Sequence, residues 1–221
     1  MAEVTVEVVK HDPEVQIYVH KADEHMATIG FTEHGLRHVG LVSKISRNII
    51  SHLGFPERDC ELAAIAGYLH DIGNVVSRHD HGQTGAMIAW SILKRLGMPP
   101  EEAATVIAAI GNHEEEYGQT VNNIAAALIL ADKSDVHRSR VRNTEIAKFD
   151  IHDRVNYAVN HSFVRVDEPK RTITLELTID TGISSVMDYF EIFLTRMIMC
   201  RRAASFLGCN FDLSFNDVGP L

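Results

Sequence analysis

Residues 68–86 read YLHDIGNVVSRHDHGQTGA, with three His and two Asp in nineteen positions and the adjacent pair His70-Asp71 near the start. Just before that pair runs Leu62-Ala63-Ala64-Ile65-Ala66-Gly67-Tyr68-Leu69, which has no polar face and is expected as a helix buried on nearly all sides. An imidazole and an ionisable carboxylate at the end of such a helix are costly unless something compensates them. A bound metal ion is one of the few partners that suits both side chains at once. The fold is therefore read outward from this stretch, as helices arranged to bring it further ligands.

The bulk numbers set the frame. A chain of 221 residues fits one sizeable domain, or a main domain with a small addition. Its 45% hydrophobic and 23% charged residues are ordinary for a globular protein. A formal charge of −9 argues against a nucleic-acid polymer as partner, because phosphate backbones need a basic footprint. It leaves room for a small phosphorylated ligand, since bound cations dominate the field inside a pocket. Cys60, Cys200 and Cys209 are an odd number without metal-site spacing, which suggests reduced thiols and a cytoplasmic protein. The opening MAEVTVEVVK lacks the apolar core of a signal peptide, and no apolar run is long enough to span a membrane.

Taken in order, 4–9 alternates as a short strand would. Asp12-Pro13 caps and opens a helix over 13–28 that ends at Gly30. Thr32 caps a helix over 33–53, which places His34 and His38 four apart on one face. Further helices are expected over 57–71, 84–96, 100–113 and from Asn122 or Asn123 through the apolar body 124–131. Beyond Arg142 the pattern changes. Residues 161–167 and 171–179 alternate with period two around Glu168-Pro169-Lys170, as a hairpin does. A helix over 185–207 follows, and Phe211, Leu213 and Phe215 form a last short strand. The fold class is thus mainly α: a helical bundle over 12–145 and a small α+β appendage over 146–221, made of hairpin, helix and short strand. Met187, Tyr189, Phe190, Phe193 and Met197 recur at helical spacing, as core packing or a homodimer face would require.

Six ligand-type residues sit at or near helix ends: His38, His70, Asp71, His81, His113 and Asp132. A single buried His is more often a hydrogen-bonded core residue, and a single Asp more often a cap. Six of them on elements that must pack together point instead to a metal site of imidazole and carboxylate, suited to Fe, Mn or Zn more than Ca, with Mg as a further option. No Cys stands where it would join them.

The order His … His-Asp … His-x-x-x-Gly-Ala … His-Glu … Asp resembles the HD-domain superfamily of metal-dependent phosphohydrolases. His38, the pair in Leu69-His70-Asp71-Ile72-Gly73, the segment from His81 to Ala86, His113-Glu114 and Asp132 carry the likeness across about 31–142. The resemblance implies one divalent ion on His38, His70, Asp71 and Asp132. It implies a second on His81 and His113, with Asp71 bridging, Fe or Mn favoured and Zn or Mg admitted. Cyclic-dinucleotide phosphodiesterases of the superfamily have a Lys where this chain has Asn74, paired His where it has Asn112-His113, and a Gly-Tyr-Pro motif that it lacks. That activity is not expected here. Lys133 either replaces the missing positive charge or extends to solvent. Arg138, Arg140 and Arg142 either contact phosphate or are the basic residues that any exposed helix end favours. His34, His79 and Glu114 are candidates to hold the ligands in place. Glu115 and Glu116 are expected on a solvated face, and Asp135 as a structural residue or a partner to Lys133.

Three functions fit this reading. The first is hydrolysis of a phosphate ester, nucleotide or other small phosphorylated metabolite, by metal-activated water, with Asp71 and Lys133 handling charge. The second is the O2-dependent cleavage performed by di-iron members of the superfamily. The third is a metal-binding regulatory module without catalysis.

Overall fold

The computed structural model describes residues 3–143, 145 and 149–216. The boundary expected between 145 and 146 adjoins residues 146–148, which lie outside the described residues, as do residues 1–2 of the opening stretch. In chain order come the helices α1 (Val6–Lys10), α2 (Pro13–Thr28), α3 (Leu36–His52), α4 (Glu57–Leu69), α5 (His81–Leu96), α6 (Pro100–Gly111) and α7 (Asn123–Ser134). Then follow α8 (Ile151–Ala158), β1 (Val159–Asp167), β2 (Thr172–Ile179), α9 (Val186–Phe206) and β3 (Asn210–Phe215). Short 3₁₀ turns occupy Ile72–Val75 and Arg138–Arg140. The chain is mainly α with a small sheet at its C-terminal end.

Helix α4 is buried along its whole second half, every residue from Leu62 to Leu69, and α7 is buried from Ile124 to Ala131. Each large apolar side chain there, such as Ile65 or Leu128, contributes about 1.5–3 kcal/mol by leaving water. These two helices form the centre, with α3 packed on both and α6 against both. The contact of α3 with α4 is close. A Cβ at Gly67 would stand 2.8 Å from the Ser43 Cα, and the Ser43 hydroxyl donates 2.8 Å to the Ala64 carbonyl.

The caps expected for α2 and α7 act as their residue types predict. Asp12 accepts from the amides of Glu14 and Val15 at the start of α2, and Asn122 accepts from Ala125 at the start of α7. Ser185 and Asp188 form a capping box at α9. The hairpin is present, with β1 and β2 antiparallel, while β3 pairs parallel to β2 after the α9 crossover, giving the order β1-β2-β3. Ile173, Leu175, Leu177 and Ile179 bury one face of β2, and Tyr189, Phe193 and Phe215 are buried with them. Tyr189, Phe193 and Met197 are core, as the helical spacing predicts; Met187 is exposed. Helix α9 also packs on α7, which brings the appendage against the bundle.

Four expectations are corrected. Residues 4–9 hold helix α1 and no strand: Val6 and Val9 are buried three apart, and the Thr5 hydroxyl accepts from the Val8 amide. Packing on α4 overrides the β-branched alternation. Helix α3 starts at Leu36, so His34 precedes it. The Thr32 side chain does not cap it; the Glu33 carboxylate accepts from the Gly35 amide instead. Helix α5 starts at His81, three residues earlier than Thr84. Helix α8 was not foreseen, because only Val155, Asn156 and Ala158 of its eight residues are buried and its apolar signal is thin.

Candidate metal centre

The end of α4 shapes the site. Leu69 is the last residue of α4, His70 caps it, Asp71 leaves the helix, and the chain tightens into the 3₁₀ turn. Gly73 makes this approach feasible: a Cβ there would lie 2.0 Å from the His81 carbonyl oxygen and 2.6 Å from the Gly85 nitrogen. The turn thus presses against the first turn of α5 and sets His81 opposite Asp71. Ending the helix is what allows neighbours in sequence to face one centre.

Four imidazoles converge, and each is oriented from behind. His38 Nδ1 donates to Asp135 Oδ2 at 2.7 Å, His70 Nδ1 to the Gly67 carbonyl at 2.9 Å, and His113 Nδ1 to the Ile110 carbonyl at 2.6 Å. His81 Nδ1 faces Glu114 Oε1 at 2.8 Å and the Arg78 carbonyl at 3.1 Å. All four Nε2 atoms therefore point inward as acceptors. They meet in pairs, His38 with His70 at 3.2 Å and His81 with His113 at 3.1 Å. Two facing lone pairs at that distance repel unless a cation or proton lies between them.

The carboxylates complete two groups. Asp71 Oδ2 lies 3.4 Å from the Nε2 atoms of both His38 and His70; Asp132 Oδ1 lies 3.4 and 3.6 Å from the same two atoms. On the other side, Asp71 Oδ1 lies 3.3 Å from His81 Nε2 and 4.0 Å from His113 Nε2. Asp71 Oδ2 is buried without a hydrogen-bond partner. Donors bound at ~2.1 Å in tetrahedral geometry are separated by about 3.4 Å, the spacing of the first group. The His/Asp cluster fits a divalent metal.

The charge balance agrees. Burial and the Arg140 charge oppose protonation of His38, yet Asp132, Asp135 and Asp71 outweigh them and raise its pKa to about 10. Burial likewise opposes, and Asp71 and Asp132 raise, the pKa of His70, to about 9. Against the cost of burial, neighbouring His70 and His38 hold Asp71 well below the carboxylate range, and Lys133 with the same imidazoles does so for Asp132. His113 is pushed the other way, well below an ordinary His, by burial and by the charges of His70 and His81. The ionised carboxylates favour positive charge at the His38–His70 pair, whether a proton or a metal cation supplies it.

The HD domain family matches residues 35–191, a span that includes all six of these side chains. The chain belongs to the HD-domain family. Among solved structures, a predicted HD superfamily hydrolase from an uncultured Thermotogales bacterium is 23% identical over 59% of this chain and 73% of that one, with a TM-score of 0.44. No curated protein matches. The match of this HD domain runs on through β1 and β2 and into α9.

Around the cluster, the remaining candidates separate. Asn74 Nδ2 donates to Asp71 Oδ1 at 2.9 Å, which orients the carboxylate between the two groups. Glu114 stands behind His81 and accepts from the Gly82 amide. Lys133 is buried, not extended to solvent, with Nζ 2.7 Å from Asp132 Oδ2. His34 is buried beside His38, ring centres 5.5 Å apart. His79 is exposed at the outer mouth and orients no ligand. Arg138 lies over the Tyr157 ring, 5.3 Å from its centre, outside the cavities at the cluster. Asp135 pairs with His38, Arg37 and Arg140 rather than with Lys133. Glu115 is no solvated side chain: Oε1 accepts from Arg196 Nε at 2.5 Å and lies 3.7 Å from Lys133 Nζ.

Three arginines join the site: Arg140, which the sequence offered as a phosphate contact or an exposed helix-end residue, and Arg78 and Arg196, which it did not single out. Arg78 Nη1 comes within 3.4 Å of His81 Nε2 and 4.0 Å of Asp71 Oδ1, so a positive charge stands four residues past Asn74. Arg140 donates to the carbonyls of Glu33 and Asp135, pinning the loop that carries His34. Arg196 reaches in from α9. Arg78 carried a weak signal, a charge between His-Asp and the next His; Arg196 carried none. An inner slot of about 20 Å³ at the cluster shares His34, Arg78, Arg140 and Arg196 with an outer cavity of about 350 Å³.

Proposed function

We propose that this HD domain is a metal-dependent phosphohydrolase that cleaves the phosphate ester of a small phosphorylated metabolite. One observation carries the reading: the two ligand groups joined by Asp71 lie directly beside Lys133, Arg78 and Arg196. His38, His70, Asp71 and Asp132 would hold one ion, and His81, His113 and Asp71 a second. The imidazole-carboxylate mixture favours Fe or Mn and admits Zn or Mg. Bound there, the ions would supply a water acidic enough to attack phosphorus at neutral pH.

The residues of the chain do the rest. Lys133, Arg78 and Arg196 offer charge to the phosphoryl oxygens, where a dianion gains most. Arg78 stacks over Phe31 and Arg196 over Phe193, which holds both guanidinium groups in place at the slot. Asp132 divides its oxygens, one toward His38 and His70 and one to Lys133, coupling the lysine to the centre. Asn74 keeps Asp71 between the two groups. Water adds to phosphorus as the P–O bond to the alcohol breaks, giving inorganic phosphate and the free alcohol.

Protein loaded with Mn(II) or Fe(II) should release phosphate from small phosphomonoesters, and Asp71→Asn should abolish release and metal binding together. A carboxylate shared by both ligand groups would also suit di-iron oxygen chemistry, so the Fe-loaded protein is tested in an oxygen electrode. Oxygen uptake without phosphate release overturns the hydrolase reading.

A further inference from the structure

The imidazole of His34 stands where the inner slot opens into the outer cavity, and the four ligand imidazoles leave it out. Its Nδ1 donates to the Thr32 carbonyl at 2.6 Å, so Nε2 is the protonless nitrogen of the ring. The residue is 8% exposed and lines both cavities. No described residue hydrogen-bonds that Nε2. The loop bearing it is held firmly: the His34 amide donates 2.9 Å to Asp23 Oδ1, Arg140 grips the Glu33 carbonyl, and Arg142 Nε donates 3.1 Å to the Phe31 carbonyl. Of the four side chains common to both cavities, Arg78, Arg140 and Arg196 are donors and His34 is the acceptor; the inner slot also holds the carboxylates of Asp71, Glu115 and Asp132, and the outer cavity those of Asp150 and Asp153.

We infer that His34 Nε2 accepts a hydrogen bond from a substrate hydroxyl on the carbon next to the esterified one, so that the enzyme acts on hydroxylated phosphate esters. The inference rests on the phosphohydrolase reading. The three cations shared by the two cavities suit the phosphoryl oxygens, which need donors, and the acceptor that stands among them has no use for phosphate. The ring centre lies 5.5 Å from that of His38, which places its acceptor beside the cluster where the phosphoryl group would sit. The cavity beyond, walled by Ile29, Phe31 and Phe193, is large enough for a sugar or nucleoside. A buried acceptor left unpaired by a deoxy substrate is what makes such a site selective.

The test uses metal-loaded protein and pairs of phosphomonoesters that differ in that hydroxyl alone. One arm compares glycerol 3-phosphate with 3-hydroxypropyl phosphate; the other compares a ribonucleoside 3′-monophosphate with its 2′-deoxy form. Phosphate release from either member of a pair upholds the hydrolase reading whatever the ratio. In at least one arm, kcat/KM should favour the hydroxylated member by about 100-fold. His34→Ala should bring that ratio close to one, and His34→Gln, whose amide oxygen accepts, should restore part of it. Bound metal and thermal midpoint are measured for both variants, and the ratio is read on a variant that keeps its metal. A ratio near one in the unaltered protein in both arms overturns the inference. So does an unchanged ratio in His34→Ala with both members slowed equally, which would assign His34 to the attacking water. Release from no ester overturns this inference and the hydrolase reading together.

Discussion

At the scale of single residues, the centre depends on who stands behind each ligand. Asp135, three residues past Asp132 and so on the same side of the helix end, fixes the tautomer of His38. Asp135→Asn should weaken metal binding roughly 10–100-fold while leaving all six candidate ligands in place, measured by chelator competition. The raised pKa values of His38 and His70, about 10 and about 9, make a second prediction. Both lie above the ~6.5 of an unfolded His, so their stabilisation of the metal-free fold is full below about 6.5 and is lost as pH rises through 9 to 10. Metal-free protein should therefore show a lower urea midpoint at pH 10 than at pH 7. Loading metal at pH 8 should release protons, counted by calorimetry in buffers of different ionisation enthalpy. Equal midpoints and no released protons would contradict this charge balance.

At the scale of elements, the decisive contact is the turn after α4 against the start of α5. It depends on Gly73, where any Cβ meets the backbone of His81 rather than a flexible side chain. Gly73→Ala must separate the two elements, at a cost of about 1–3 kcal/mol or more, and draws His81 away from Asp71. Urea unfolding should report the lost stability, and metal analysis a greater loss from the His81–His113 group than from the His38–His70 group. Equal loss at both would mean that Asp71, not His81, had moved. The same scale explains Glu115, which ties Arg196 of α9 to Lys133 of α7. The appendage is fastened to the bundle through the site itself.

At the scale of the whole molecule, His and Asp ligands drawn from α3, the end of α4, α5, the end of α6 and α7 surround one buried centre. Without a metal that centre relies on protons to balance its carboxylates, and a bound ion would link helices far apart in sequence. Metal at 100 times its dissociation constant adds about 2.7 kcal/mol to the folded state. For a chain of this length that amounts to roughly 5–10 °C in thermal midpoint. Removal of metal with EDTA should lower the midpoint by that amount, and Mn(II) should restore it. A midpoint indifferent to metal would mean that the bundle holds its charged centre without help.

The sequence alone determined the buried helices, the caps of α2 and α7, the hairpin and the identity of the six clustered side chains. Apolar runs, cap residues and strand alternation are local patterns, and ligand residues at helix ends are costly without a purpose. It read Asp135 and Lys133 ambiguously and placed Glu115 on a solvated face, because each has charged neighbours in sequence and only packing decides which it meets. It misread residues 4–9 and the start of α3, where burial against α4 and a Glu33 cap outweighed local propensity. Only the tertiary structure decided that Asp71 turns one oxygen to each pair of imidazoles, and that Arg196, sixty-four residues beyond Asp132, shares the same cavity. Which oxygen faces which imidazole, and which cation lines the slot, depend on helices meeting across the bundle, and no spacing along the chain encodes that.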